Sequence, residues 1–289
     1  MTNTTETQIT YYIHPKENFY FALSIFFSII LYYLLGVFIY RFIENDDPKV
    51  SALSTIAFVY AGLIIVFVIL RFVLFVGYVK GNAVKVSQNQ FPDIYNIAVK
   101  QAAALKLSSV PSVYILQSGG VLNAFATSLM GKNYVVIYSD VLAAAYEQNM
   151  KVVEFIIGHE MGHIKRKHLL KHLLLFPSVF IPFLGAAYSR GCEYTCDSIG
   201  HAMCPEGARP GMLLLAAGKG LFKKVDVNTF IAQHRTEQSA SRWIAEKFAS
   251  HPNLPKRVEA FNNYGTYVPE PVVEKKETRV EDPSRYMPS

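Results

Sequence analysis

A chain of 289 residues can build one large domain or two small ones, and composition narrows the class further than length does. Apolar residues make up 51% of the chain and charged residues only 17%, where soluble domains carry about 25% charged residues. The deficit is concentrated in the first 80 residues, so the composition excludes a uniformly soluble protein and points to membrane segments ahead of an ordinary globular part. The formal charge of +6 has no nucleic-acid motif beside it, and lysines flanking apolar spans are expected to face anionic lipid headgroups instead. Cys192, Cys196 and Cys204 are an odd, sparse set whose spacing fits no common zinc knuckle; they read as reduced thiols in a cytosolic setting.

Residues 1–18 form a polar, Thr-rich tail without a basic leader. Phe19 to Tyr40 then runs without a charge, and as a helix it would measure about 33 Å, enough to cross a hydrocarbon core of about 30 Å. A polar turn carrying Glu44, Asp46, Asp47 and Pro48 leads into a second uncharged run, Val50 to Leu70, extended past Arg71 to Val79. Residues 19–79 therefore predict a transmembrane helical hairpin. Lys16 precedes it and Lys80, Lys85, Lys100 and Lys106 follow, while three acids offset the two bases of the connecting loop. The positive-inside rule places the N-terminus and the main domain in the cytoplasm of a multi-pass cell-membrane protein.

From about residue 85 the pattern becomes globular. Pro92 to Lys106 predicts a helix, with proline at its start. Ser112–Gln117, Ala124–Leu129 and Tyr134–Tyr138 predict strands, separated by turns at Gly119-Gly120 and at Gly131-Lys132-Asn133. Asp140 is read as the cap of a helical stretch, Val152 to His168 as a second helix, and the chain after residue 192 as further helices. The domain is taken to span 85–267, with 268–289, rich in Pro, Glu and Lys, as a disordered tail.

The chemistry concentrates in His159-Glu160-Met161-Gly162-His163. Four residues apart on a helix, both imidazoles share a face and can point at one metal ion, with Glu160 near the metal's open position. A zinc ion lowers the pKa of bound water toward ~7, and Glu160 is placed to take the proton as general base. An H-E-x-x-H string arises by accident in a chain of this composition on the order of one time in a hundred. Catalytic zinc needs a third protein ligand. Glu193, Asp197, His201, Glu206, Cys192 and Cys196 are candidates. Glu193 and Asp197 stand i, i+4, so one could bind metal while the other orients an imidazole, and spacing leaves open which does which. His168 and His172 form a second i, i+4 pair, but it lacks an intervening glutamate and lies in a basic run, so it is read as membrane-proximal and not as ligands. His14, His201 and His234 have no partner pattern and are read as surface or packing residues.

His159 to His163, Arg190-Gly191-Cys192-Glu193 with Asp197 behind it, Asn123-Ala124-Phe125-Ala126, and His251-Pro252 with Arg257 together resemble the HtpX-type membrane metallopeptidases, relatives of the type I CaaX prenyl proteases. The resemblance covers roughly residues 90–265. It implies an α+β architecture, a zincin-like metallopeptidase domain with a small sheet behind the membrane hairpin. It also implies one Zn2+ per chain on His159, His163 and Glu193, Glu160 as base, and Asp197 supporting a ligand. His251 and Arg257 would lie near the substrate or developing oxyanion, and the strand of Asn123, Ala124 and Phe125 would hold extended substrate by strand addition.

One departure stands out. The HtpX proteins have two further spans between the H-E-x-x-H helix and the glutamate ligand, whereas only 29 residues separate His163 from Glu193 here. One crossing would strand Glu193 on the far side of the membrane, and two would need about 40 residues. Leu173 to Tyr188 is therefore expected to dip into the membrane, lie on it or cover the cleft, without spanning. The function expected is a membrane zinc endopeptidase acting on membrane or misfolded proteins, with prenyl-protein processing as runner-up and a non-catalytic membrane scaffold as the non-enzyme reading.

Overall fold

The computed structural model describes residues 11–264 except 46, 118, 120, 121, 130 and 238. The N-terminal stretch 1–10, the 268–289 tail, Asp46 of the first turn and Gly120 of the Gly-Gly turn lie outside the described residues.

Two long helices come first, α1 (Pro15–Ile43, 29 residues) and α2 (Pro48–Asn82, 35 residues). Each starts with proline at its first turn behind a side-chain cap, His14 accepting from the Lys16 N–H and Asp47 from the Lys49 N–H. At ~1.5 Å per residue they measure about 44 and 52 Å, longer than the ~30 Å of a hydrocarbon core. Both are long and apolar enough to cross a membrane. Their large apolar side chains, from Phe19 to Ile43 and from Leu53 to Tyr78, stand mostly exposed, which separates them from the core helices of a soluble protein. The first helix begins four residues before the uncharged run, and residues 11–14 are docked: the Tyr12 and His14 amides donate to Ser198 and Thr195.

Among the described residues the sheet has four strands in the order β1-β2-β4-β3: β1 (Val84–Lys85), β2 (Ser112–Leu116), β3 (Ala124–Leu129) and β4 (Lys132–Tyr138). The β2–β4 pair is parallel and the other two pairs are antiparallel. Residues alternate between two covered faces. Val113, Ile115, Val135 and Ile137 enter the main helical core, while Tyr114, Leu116, Tyr134 and Val136 pack on Val76 and Val79 at the end of α2. Burial on both faces explains why these strands are apolar throughout. Gly131, with φ +74, makes the tight β3–β4 turn, and among the described residues β3 pairs with β4 alone, leaving its outer side as an edge.

Helices supply the rest: α3 (Pro92–Ala104), α4 (Ser139–Gln148), α5 (Lys151–Lys165), α6 (His168–Leu174), α7 (Leu184–Met203), α8 (Pro205–Ala217), α9 (Val227–Thr236), α10 (Ala240–Phe248) and α11 (Leu254–Tyr264). Two expectations need correction. Asp140 sits inside the first turn of α4, with Tyr138 at the cap position, where its charge still favours the positive helix end. The stretch 152–168 is also two helices: Lys167 takes a left-handed φ of 54°, so α6 leaves α5 in a new direction. That conformation costs roughly 1–2 kcal/mol for a residue with a Cβ, and the burial of His168 and the pairing of Arg166 and His168, on either side of the break, with Glu17 offset it.

α5 and α7 cross at close range. A Cβ at Gly162 would meet Cys196 Sγ at 3.1 Å, and one at Gly200 would meet the Phe155 carbonyl oxygen at 2.8 Å. Small residues at the crossing bring the His159–His163 face of one helix against the Glu193–Asp197 face of the other.

Candidate metal centre

His159 and His163 lie one turn apart on α5, as the spacing requires, and their Nε2 atoms face each other at 3.3 Å. Glu193 on α7 completes the group, Oε2 standing 3.6 Å from His159 Nε2 and Oε1 3.5 Å from His163 Nε2. Ligands on a tetrahedral zinc with bonds of about 2.0–2.1 Å stand about 3.3 Å apart, so the three donor atoms fit such an ion. Asp197 is placed otherwise. Its Oδ1 lies 3.0 Å from His159 Nδ1, on the far side of the ring from Glu193.

Arg257, at 5% exposure, ties the two carboxylates together. Its Nε and Nη2 donate to Asp197 at 2.7 and 2.6 Å, and Nη1 lies 3.2 Å from Glu193 Oε2. Burial pushes the Glu193 carboxyl up, but Arg257 and the two histidines outweigh it and hold that group well below the usual carboxylate range. Asp197 is likewise lowered: burial opposes ionisation, and the Arg257 guanidinium prevails. Both acids are charged acceptors, as a ligand and an imidazole-orienting group need to be.

Of the remaining predicted residues, Glu160 lies in the same cleft. His251 is exposed, with Nε2 3.5 Å from Glu193 Oε1 at the cleft mouth. Arg190 positions that loop: its Nη1 donates to the Glu246, Lys247 and Ala249 carbonyls, collecting the end of α10 just ahead of His251. The cleft, about 1580 Å³, is walled by the β3 edge (Asn123, Ala124 and Phe125 onward), by the α5 ligands, and by Val68, Phe72 and Val73 of α2.

His201 stacks on Phe261, Cys204 is buried beside Glu206, and neither reaches the centre. A second buried cluster, not anticipated above, stands behind His163. His168 Nδ1 lies 3.0 Å from His163 Nδ1, and His168 Nε2 lies 3.2 Å from Glu17 Oε1, at the start of α1. Arg166 donates twice to the same Glu17 oxygen, at 3.0 and 2.8 Å, and Lys171 stands 3.5 Å from it. Burial drives the His168 pKa down to about 4, so the ring is neutral at physiological pH. In the tautomer that satisfies both contacts it accepts from His163 and donates to Glu17. Cys196 and Cys192 border this cluster, and burial raises both thiols above the usual range. The one sequence sign was a lone glutamate at the head of an uncharged span, opposite a basic run at 165–171.

An H-E-x-x-H helix crossed by a second helix that supplies a carboxylate is the arrangement of a metallopeptidase centre. Residues 88–184 match peptidase family M48. A "Protease HtpX homolog" of Thermodesulfovibrio yellowstonii is 35% identical over 89 residues, covering 31% of this chain and 30% of that protein. One from Streptococcus mutans is 34% identical over 84 residues (29% and 27%), and one from Helicobacter acinonychis is 22% identical over 217 residues (62% and 69%). The first two matches thus span under a third of those relatives. Among solved structures, the crystal structure of S. mikatae Ste24p aligns with a TM-score of 0.44 at 12% identity, over 84% of this chain and 66% of that one. The likeness to peptidase family M48 thus lies in residues 88–184, about a third of the chain, and the chain is similar in part of its sequence to HtpX homologs. That segment contains His159, Glu160 and His163 and ends before Glu193, whose place in the site rests on the geometry above.

Proposed function

We propose that this chain is an integral-membrane zinc endopeptidase that hydrolyses peptide bonds in extended segments of membrane or misfolded proteins. The convergence of His159 Nε2, His163 Nε2 and the Glu193 carboxylate at 3.3–3.6 Å, on the floor of a cleft open to the β3 edge, carries the reading. His159, His163 and Glu193 would hold one zinc ion per chain, and when bound it supplies the Lewis acidity that brings a water's pKa toward ~7.

The chain's own residues supply the rest. An extended peptide adds to the unpaired side of β3 along Asn123, Ala124 and Phe125, its backbone satisfied by strand pairing. Glu160 takes the proton of the attacking water and returns it to the leaving amine. His251, exposed at the mouth and near Glu193, faces the developing oxyanion. Asp197 fixes the His159 ring from behind, and Arg257, spent on two carboxylates, keeps Glu193 aimed at the histidines. The lysine asymmetry about the hairpin puts this domain on the cytoplasmic face of the cell membrane.

The test is Glu160→Gln in detergent-purified protein assayed on casein with and without a chelator. Because the amide cannot accept a proton, turnover should fall by about 10²–10⁴-fold with zinc content unchanged. Residual turnover near wild type would overturn the assignment. The α2 wall of the cleft also suits a lipid chain, and preferential cleavage of a farnesylated peptide over its unmodified form would shift the reading to prenyl-protein processing.

A further inference from the structure

We propose that residues 168–183 form a re-entrant segment, which enters the bilayer beside α1, turns about half-way across and leaves on the side it entered, with Leu173, Phe176, Val179 and Phe180 facing lipid hydrocarbon. This rests on the membrane reading of α1 and α2 and is independent of the peptidase reading.

The chain is level with the start of α1 where the segment begins and again at Gly191, on α7 beyond its end. On entry, His168 and Lys171 meet Glu17, and the Lys171 ammonium lies 4.9 Å from the Phe21 ring centre. On exit, α7 returns to the same level, where a Cβ on Gly191 would lie only 2.7 Å from the Glu17 backbone nitrogen. Between these anchors the chain runs along α1, far beyond its start. The Tyr32 hydroxyl donates to the Leu174 carbonyl at 3.3 Å, and Tyr32 is 15 residues past Glu17. That places Tyr32 Cα about 22 Å along the helix. Its ring points back toward the N-terminus, so the turn reaches on the order of 10–15 Å, near the middle of a ~30 Å core. The α1 residues buried along this path are Ser24 and Ser28, small enough to let the turn Phe176–Phe180 pack on the helix.

The backbone is built for a place without water. Irregular chain at membrane depth is tolerated only where its polar groups find partners in the protein. Here the Leu175 amide bonds to Lys171, Ser178 to Leu175, Ile181 to Ser178, Leu184 to Ile181 and Ala187 to Phe183. The Ser178 hydroxyl donates to the Leu175 carbonyl, and Tyr32 serves that of Leu174. Pro177 and Pro182 bring no N–H that would need a partner.

The outer face has no use for water. Leu173 is 70% exposed and Phe180 74%, with Leu174, Phe176 and Val179 exposed between them. No Asp, Glu, Lys or Arg occurs between Lys171 and Arg190. The surface continues the exposed apolar face of α1, while Lys165, Arg166, Lys167 and Lys171 gather at its root, where anionic headgroups would lie. That continuity and that charge placement identify lipid as the occupant. By turning back, the segment keeps His163 and Glu193 on one side of the membrane, and through Leu169 and Leu170 it lends the cleft a wall at the bilayer.

The chain has a single tryptophan, Trp243, so a fluorescence test is direct. In a Trp243→Phe background, full-length Phe180→Trp and, as a second position, Phe176→Trp are placed in phosphatidylcholine vesicles with acyl-chain bromines, beside Phe26→Trp on α1 as the reference. Expected is strong bromine quenching at 180 and 176, comparable with position 26, and weak quenching by aqueous iodide. Iodide quenching at 180 and 176 with bromine quenching at 26 would overturn the re-entrant segment alone. Quenching by neither agent would mean that protein, such as a second copy, covers the face, and would also overturn it. Failure of bromine to reach position 26 would remove the membrane reading and this inference with it, leaving the metal centre untouched.

Discussion

Two clusters of ligand-type residues stand on either side of His163, and their surroundings leave different lone pairs free. In front, His159, His163 and Glu193 turn donor atoms toward one point at the cleft floor. Behind, Glu17, His168 and Cys192 lie equally close together, with Cys196 beside them. Both clusters have a buried carboxylate near an arginine, so charge alone does not separate them. Ring nitrogens do. His168 spends Nδ1 on His163 and Nε2 on Glu17, and has no lone pair left to offer. His159 and His163 each commit one nitrogen outward, to Asp197 and His168, and keep Nε2 inward. Arg166 and Lys171 already occupy Glu17. A metal site is thus defined by which lone pairs the surroundings leave free, more than by the proximity of ligand-type residues.

The largest effects should come from breaking the front cluster. His159→Ala and Glu193→Ala each leave two protein ligands, too few for a stable catalytic site, so zinc and peptidase activity should both vanish. Cys196→Ala, on the rear side, should keep wild-type zinc content. Metal analysis of purified protein decides: full zinc in His159→Ala, or zinc loss in Cys196→Ala, would exchange the two clusters' roles.

Asp197→Asn should do less. The variant keeps all three ligands but weakens the grip on His159 and half-frees Arg257, so zinc affinity should drop about 10–100-fold and activity should recover in part with added metal. A chelator-competition titration beside Glu193→Ala checks the order. If Asp197→Asn is the metal-free protein and Glu193→Ala binds tightly, the assignment at these two positions reverses.

The front cluster was legible in the sequence because its chemistry is local. His159, Glu160 and His163 sit on one helix, where spacing fixes the face, and the strand at Ala124–Leu129 was bounded by turn signals. The choice between Glu193 and Asp197 was not legible, because i, i+4 spacing gives both the same face of α7. What separates them is Arg257, 60 residues beyond Asp197, folding back between them. The rear cluster was further out of reach. Glu17 meets Arg166 across 149 residues, through a helix break at Lys167 that no glycine or proline marks and a close approach that only Gly191 permits. Residues 11–18 read as a polar tail because local composition carries no trace of that docking.

The smallest effect, and the sharpest use of the comparison, lies in Glu17→Gln. If the rear cluster orients His163, its influence passes through two contacts, Glu17 to His168 and His168 to His163, at 3.2 and 3.0 Å. The glutamine carbonyl still accepts from His168 and Arg166, so the fold persists while the charge that favours this tautomer is lost. Zinc affinity should weaken by about tenfold, the lower end for a residue acting through a ligand, with stoichiometry still one per chain at saturating metal. His168→Gln, one contact nearer, should weaken it further, and Lys171→Gln, which touches Glu17 but no imidazole in the chain of contacts, should leave it near wild type. Chelator competition on the three variants gives the ranking. Complete zinc loss in Glu17→Gln would mean that the rear cluster holds the metal after all. Unchanged affinity in both Glu17→Gln and His168→Gln would mean that His163 needs no support from the membrane helix, and that the buried pairing serves only to dock α1 against the α5–α6 junction.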